Sequence, residues 1–547
     1  MRWSYKLVVF VVICTFAEAD TCDDDETSLL KVSLLQNSVN IRSQNHQQYE
    51  DQMPRAHHLG QAGRFSNLPL YACLTLCAAS LRWFLVSDKG VPAPEISMIL
   101  IFVFWMSWFQ YFSGDPFDAF VESMTQCPWP LPQNGHCPSG SSLQGNVCVP
   151  QERSHPDWSL SVHCAQKSVV LSQAARINGI NASTSSGISM LTVLIAGVYM
   201  DRIGRKPIIR FFLLVSIVVK LLLTLSCFLS WSAFVVIIIV QNVFEVMSAA
   251  PMYPALNCMI SDLTREDEQK RGDCFSALEM SKNLASLLAL VSGYPVLRAH
   301  LTSYFPFWAS LAVMSTLATA FFWNLPETLV TESPKSSIWK SLIDGLHWVL
   351  FKDLFLGQYL IIWATVTLAV NGAWGLSTMY LQSFIGMEQA DASLCRAFWF
   401  LALLSGSALS APLMRGGGLY VVHATALLTM SLSWALCGLG GVFPHWAAPL
   451  FWAFGVGSFG VAFGVLSPCF GALISSRAPK ELQGQIFGLS IVVGTLLGMP
   501  LGPLWSQVLF DPSAQNWRAT LPWFVSAGLL SFTAVWFSVI SWRRSTD

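Results

Sequence analysis

Charge is what this chain has least of. Lys, Arg, Asp and Glu make up 12% of its 547 residues, about half of the roughly 25% usual in soluble chains. The formal net charge is −1, so no basic face exists to neutralise phosphates, and nucleic acid is excluded as a partner. Also missing are H-E-x-x-H, a nucleophile elbow and a phosphate loop in an aqueous context. No enzyme and no cofactor are expected. Gly455-x-Gly457-x-x-Gly460 formally matches a dinucleotide loop, but it lies in an apolar run with no preceding strand, where small residues serve close packing. Apolar residues, by contrast, reach 53%, with 22 Trp and 36 Phe, which excludes disorder. The partner of such a chain is a lipid bilayer.

Residues 1–19 read as a secretory signal. Arg2 and Lys6 form a basic start, Leu7–Phe16 an apolar core, and Ala17-Glu18-Ala19 a small-x-small cleavage site. Ten apolar residues cannot cross a ~30 Å hydrocarbon core. Residues 20–67 are polar, with an acidic Asp23-Asp24-Asp25-Glu26 cluster, and little fixed structure is expected there. Thirteen apolar segments of spanning length follow. The first, 68–86, is an extra transmembrane helix that carries Arg82, or else a helix lying on the membrane surface. The other twelve lie near 96–113, 183–200, 208–229, 232–256, 274–294, 305–325, 354–373, 397–414, 419–440, 446–470, 486–508 and 520–541.

With the signal cleaved and 68–86 crossing once, the twelve-segment body begins on the cytosolic side. The cations agree: Arg202, Arg205, Lys206 and Arg210, then Arg265, Lys270 and Arg271, then Lys335, Lys340 and Lys352, then Arg543 and Arg544 all fall in cytosolic segments, as the positive-inside rule requires. A secretory signal is compatible with the plasma membrane or an endomembrane. Loop 114–182 would face outward. Its Cys127, Cys137, Cys148 and Cys164 lack a C-x-x-C pair, so two disulfides are expected rather than a metal site, with three pairings open. Asn181 opens the one glycosylation sequon found, almost at the membrane edge.

The twelve segments divide at the central cytosolic loop 326–353 into bundles of six, 96–325 and 354–542. Ile260-Ser261-Asp262 with Arg271-Gly272-Asp273 follows the fourth segment; Ile474-Ser475-Ser476 with Gln483-Gly484-Gln485 follows the tenth. Equivalent loops six helices apart imply two halves related by an axis along the membrane normal, with a solute site near the midplane between them.

The second and third segments are joined by Gly197-Val198-Tyr199-Met200-Asp201-Arg202-Ile203-Gly204-Arg205-Lys206-Pro207. Gly197 permits close helix approach and Gly204 a tight reversal. Asp201 can face the positive N-terminal end of a helix in the other half. Arg202 and Arg205 can form carboxylate pairs that latch the cytosolic side. This string resembles, position for position, the G-x-x-x-D-R-x-G-R-K signature of the major facilitator superfamily. The resemblance implies an all-α membrane protein of two six-helix bundles that works by alternating access, usually as a monomer. In the second half, Met414-Arg415-Gly416-Gly417-Gly418 keeps the small residues and lacks the acid. A closer likeness runs from Ile260 to Leu288, through Asn324-Leu325-Pro326-Glu327-Thr328-Leu329, and again from Ile474 to Pro503. These stretches look like the proton-coupled folate transporter family and the related tetracycline/proton antiporters.

Acids within apolar segments are expensive and point to function. Glu279 lies one to two turns inside the fifth segment and is expected to exchange protons, a role the folate transporter likeness also implies; the alternative is an interfacial Glu paired with Lys282. Glu245, with Gln241 one turn away, is expected to assist, and Lys220 to partner either acid. Gln358, Asn371 and His423 are further candidates for the path, each with a local hydrogen bond as the bland alternative. Two departures stand out. Folate-type members place an Arg where Gly471 stands here, which argues against folate. Of the antiporters' glycine-rich fifth-helix motif only Ser292-Gly293-Tyr294-Pro295 remains, which favours import over export. The expectation is proton-coupled symport of a small organic solute. Proton-coupled export is one alternative; a transport-inactive receptor or scaffold that keeps the fold is the other.

Overall fold

The computed structural model describes residues 94–124, 129–130, 141–144, 147–150, 167–229, 231–264, 267–298, 304–329, 338–387, 389–510 and 516–546. The expected signal 1–19, the polar segment 20–67 and the extra helix 68–86 lie outside the described residues.

The first bundle contains α1 (Pro94–Met124), α2 (Lys167–Ile203), α3 (Lys206–Ser226), α4 (Trp231–Ala249), α5 (Met252–Leu263), α6 (Glu268–Arg298) and α7 (Phe305–Phe322). After α8 (Ile338–His347), the second contains α9 (Leu354–Gly375), α10 (Ser377–Ser383), α11 (Gln389–Gly417), α12 (Leu419–Leu439), α13 (Ala448–Arg477), α14 (Gln483–Leu504) and α15 (Leu521–Thr546). These make twelve crossings at the places the apolar runs mark. The fourth crossing is α4 plus α5, interrupted at Ala250-Pro251, because proline lacks the N–H that would continue the ladder. The seventh is α9 plus α10, interrupted at Leu376.

Among the described residues, ten helical stretches are long and apolar enough to span a membrane. The second and eleventh crossings, in α2 and α14, are not among these ten; within α14 Gln483–Leu496 is a shorter apolar helix.

Three boundaries differ from the sequence reading. Helix α1 continues to Met124 and α2 already starts at Lys167, so the outer loop is shorter than 114–182. Hydropathy reports where lipid ends, not where helical hydrogen bonding ends; at ~1.5 Å per residue both helices outrun a bilayer. Within the loop, β1 (Trp129–Pro130), β2 (Ser141–Gln144) and β3 (Val147–Pro150) form an antiparallel sheet in the order β1-β3-β2, with Cys148 opposite Trp129 and Leu143. Cys127, Cys137 and Cys164 lie outside the described residues. The central loop is also more than a linker. Helix α8 runs into a π-turn, Trp348–Lys352, and Asp353 caps α9 by accepting the Leu356 N–H at 3.0 Å.

The halves meet along two seams, α2 against α14 and α6 against α11, and α6 also packs on α1 and α13. Serines stitch α6 to its neighbours. The Ser276 and Ser410 hydroxyls lie 2.7 Å apart, Asn283 Nδ2 donates to Ser407 Oγ at 3.1 Å, and Ser281 donates to the Leu100 carbonyl at 2.8 Å. Such hydroxyls satisfy themselves locally and let helices approach closely, which suits packing in lipid.

Candidate transport site and cytosolic latch

The glycine signature folds into the joint that its chemistry anticipates. Asp201 ends α2, and its carboxylate accepts the N–H of Gly484 at 2.9 Å and of Gln485 at 3.1 Å, the first free donors of α14. The backbones can come this close because both crossing residues are glycines. A Cβ on Gly197 would lie 3.0 Å from the Gly484 carbonyl oxygen, and one on Gly484 would lie 2.7 Å from Asp201 Oδ1. Burial pushes the Asp201 carboxyl up to about 7, against the pull of Arg205 and the two N–H groups.

Arg205 is almost wholly buried and works within the first half. It donates to the Met200 carbonyl and lies 3.3 Å from Asp262 Oδ2 and 3.6 Å from Asp201 Oδ1, joining α2 to α5. Gly204 takes φ +102°, the left-handed turn that glycine permits. A Cβ there would strike the Glu327 carboxylate. That carboxylate accepts the N–H groups of Arg205 and Lys206, each at 3.0 Å, fixing the start of α3 to the chain after α7. Arg202 is half-buried.

Glu327 and Asp262 were not singled out as site residues from sequence. Both lie within stretches noted for other reasons, and no local signal marks Glu327, because its partners at the start of α3 are more than a hundred residues away.

The lost acid of the second-half loop has a substitute. Arg415, at the end of α11, lies 3.5 Å from Asp273 in the first turns of α6, so the charges of the corresponding joint are reversed. Between the joints the two repeat loops touch. Ser261 and Ser475 share a hydrogen bond at 2.5 Å, Gln483 donates to Ser261, and a polar cavity of about 270 Å³ is lined by these residues with Asp262, Arg271 and Ser476. Gly345 of α8 sits against Gln485, whose Oε1 would be 2.5 Å from a Cβ there. The two halves are therefore closed against each other at this end.

Deeper in the membrane, the sequence candidates fall into separate groups. Glu279 pairs with Lys282 at 3.1 Å, and Lys282 lies over the Tyr253 ring at 5.1 Å. Tyr111 of α1 is within electrostatic range of Tyr253, Lys282, Arg396 and Glu279. Arg396 of α11 stacks on Trp374 of α9 at 5.3 Å. Groups from both halves thus gather around Glu279.

Glu245 is elsewhere: Gln241 donates to its carboxylate within α4. Lys220 is buried in α3, donates to Ser113 Oγ at 3.2 Å, and lies 5.1 Å from the Phe109 ring and 5.8 Å from that of Trp308. Glu245 is within its electrostatic range, but it makes no ion pair with either acid.

Gln358 and Asn371 are exposed on α9. His423 is wholly buried, 3.4 Å from Tyr359 Oη and stacked near Phe537, which is local packing. Asn181 lies within α2. Gly471 is closed over by Phe275, 2.7 Å from where a Cβ would stand.

A model of the Major Facilitator Superfamily matches residues 169–503. The chain belongs to that superfamily. Its members are secondary transporters, not enzymes, and this chain is an integral multi-pass membrane protein. Solved structures with the same fold include the human organic anion transporter MFSD10 (TETRAN), with TM-score 0.58 and 16% identity over 81% of this chain and 100% of that one. Another is the xylose transporter XylE from E. coli, with TM-score 0.55 and 12% identity over 81% and 97%. A third is the nucleoside transporter NupG, with TM-score 0.52 and 13% identity over 81% and 98%. At these identities the likeness is one of fold. No curated protein matches the sequence.

Proposed function

We propose that this superfamily member imports a small organic solute by proton-coupled symport, with Glu279 as the coupling acid and Glu245 as a secondary proton site. The observation that supports this most is the Glu279–Lys282 pair on α6. Its span is the most deeply packed of the ten, yet the two side chains keep 16% and 25% exposure. With α1, α5, α11 and α13 packed around this helix, the exposure opens to the interior between the halves, not to lipid. An acid held there beside one cation can take up or release a proton as the halves rock. The latch fits the same reading: a static scaffold has no use for a joint that closes one side through a buried carboxylate and bare backbone N–H groups.

Proteoliposomes loaded with a pH dye and challenged with pooled organic solutes test the proposal. Solute-evoked proton flux is expected, lost in Glu279→Gln and reduced severalfold in Glu245→Gln. Solute uptake without proton flux, unchanged in Glu279→Gln, would show a facilitator and leave Glu279 structural.

A further inference from the structure

We infer that α8 and the π-turn after it lie in the headgroup boundary of the bilayer, and that lipid on their apolar side steadies the closed joint. Neither the solute nor Glu279 enters into this. The ten residues of α8 and the five of the π-turn form a rod of roughly 20 Å at ~1.5 Å per residue. The rod ends at Asp353, whose extended backbone precedes α9. Its surface divides three ways. Gly345 and Val349 are buried against the protein, and Lys340, Asp344 and His347 are exposed. Ile343, Leu346 and Phe351 are exposed as well, and they share one side. In an unbroken α-helix, eight residues would leave Phe351 about 80° round from Ile343. A turn closed from i to i+5 takes up part of that offset and brings the ring back towards Ile343. Exposed apolar residues sorted from exposed polar ones around a single helix suit a boundary between lipid and water.

The neighbours of the apolar side say what covers it. Ile343 at 64% and Phe351 at 69% are as open as Leu354 at 66%, the residue where the α9 span begins, and apolar exposure continues along that span to Ile361. On the other flank α8 packs on α2. There the exposed Leu191, Ile195, Tyr199 and Ile203 recur every fourth residue, which makes one lipid-facing stripe. The apolar side of α8 therefore joins two surfaces that the bilayer already covers. Lys340 and Lys352 are both exposed, and their long stems can carry the ammonium groups into the headgroup layer.

This placement bears on the joint because α8 straddles the halves. Its far end is tied to the second half, where Asp353 pairs with Arg477 of α13 at 2.5 Å. Its body rests on α2 of the first half and on α14, with no room for a Cβ between Gly345 and the Gln485 side chain. The halves cannot part at this end without tilting α8 off α2. Lipid along the third side of the rod resists that tilt and so favours the shut joint.

The test uses the full chain in phosphatidylcholine nanodiscs, with photoreactive benzoylphenylalanine placed singly at Ile343, Leu346, Phe351, Asp344 or His347. Irradiation should give phospholipid adducts, read by mass, at the three apolar positions at least fivefold above those at Asp344 and His347. Equal adducts at all five positions, or none, overturn the placement. So do cross-links from Ile343 or Leu346 to a second copy of the chain or, in the membranes of the expressing cells, to another protein. The second measurement is the alkylation rate of Ser475→Cys. Ile343→Ser/Leu346→Ser/Phe351→Ser, which removes exposed side chains only, should raise that rate three- to tenfold in the nanodiscs. The apolar swap Ile343→Val/Leu346→Met/Phe351→Leu should keep the parental rate. A parental rate in the serine variant overturns the lipid's hold on the joint. A rate raised equally in both variants overturns it too, because the effect would then come from shape and not from apolarity.

Discussion

The twofold relation between the halves carries the seam of α2 and α14 onto that of α6 and α11, yet the two seams are closed by different physics. At the first, a buried carboxylate meets two backbone N–H groups across a pair of glycines. At the second, Arg415 meets Asp273 where the two side chains are 40% and 43% exposed, and serine hydroxyls higher up share the work. Charge-assisted hydrogen bonds in a buried joint are worth about 1.5–3 kcal/mol each. An exposed ion pair is screened and worth ~0–1 kcal/mol. The first seam therefore sets how firmly this end stays shut, and the second mainly aligns the bodies.

The largest way to break this asymmetry is Asp201→Ala, which leaves two buried N–H groups without an acceptor. It should shift the equilibrium from closed to open at least tenfold, about 1.4 kcal/mol or more. The check is the alkylation rate of a cysteine placed at Ser475, which is buried in the closed state. Gly484→Ala comes next. Its methyl would press on Asp201 and the Gly197 carbonyl, costing ~1–3 kcal/mol of seam packing and raising the same alkylation rate several-fold.

A pH effect should follow, with a sign that is easily guessed wrong. Because burial raises the Asp201 carboxyl to about 7 from its ordinary 3.8, the closed joint binds a proton more readily than an opened, solvated one. Acidification from about pH 7 towards 4 should thus favour the closed state, by up to ~1.4 kcal/mol per unit, and alkalinisation should loosen it. Alkylation at pH 6 and pH 8, corrected for thiol ionisation, reads this; a faster rate at pH 6 contradicts it. Smallest of all, Arg415→Ala should change the rate less than about threefold. A tenfold change there would mean that the two seams are energetically alike.

Much of this architecture was legible before any coordinates. Continuous apolarity of membrane length gives the crossings, and the string from Gly197 to Lys206 gave the Asp201 joint to the correct end of the correct kind of partner. What stayed hidden depends on pairing between distant segments. Nothing in Met414-Arg415-Gly416 says that its counter-charge lies in α6, because polarity can reverse without changing hydropathy. Arg205 was expected to pair with carboxylates and does, but nothing in the string itself says that one of them is Asp262 of α5. Glu279 and Lys282 were adjacent candidates, but which groups of α1, α5 and α11 surround them depends on helix rotation, which all-round apolar segments do not encode. The helical ends of the outer loop and α8 were missed because they lie beyond the spans, where hydropathy no longer reports on backbone order.

Helix α8 gives the closed gate a visible face. Its Gly345 lacks a side chain where Gln485 fills the space, and the helix rests on both α2 and α14. A segment seated that tightly on the first turn of α14 must be dislodged or carried along whenever that turn leaves Asp201. Whether that joint is shut is thereby displayed on the exposed face of α8, away from the seam itself. An antibody fragment or a dye directed at α8 would then report each turnover without touching the solute.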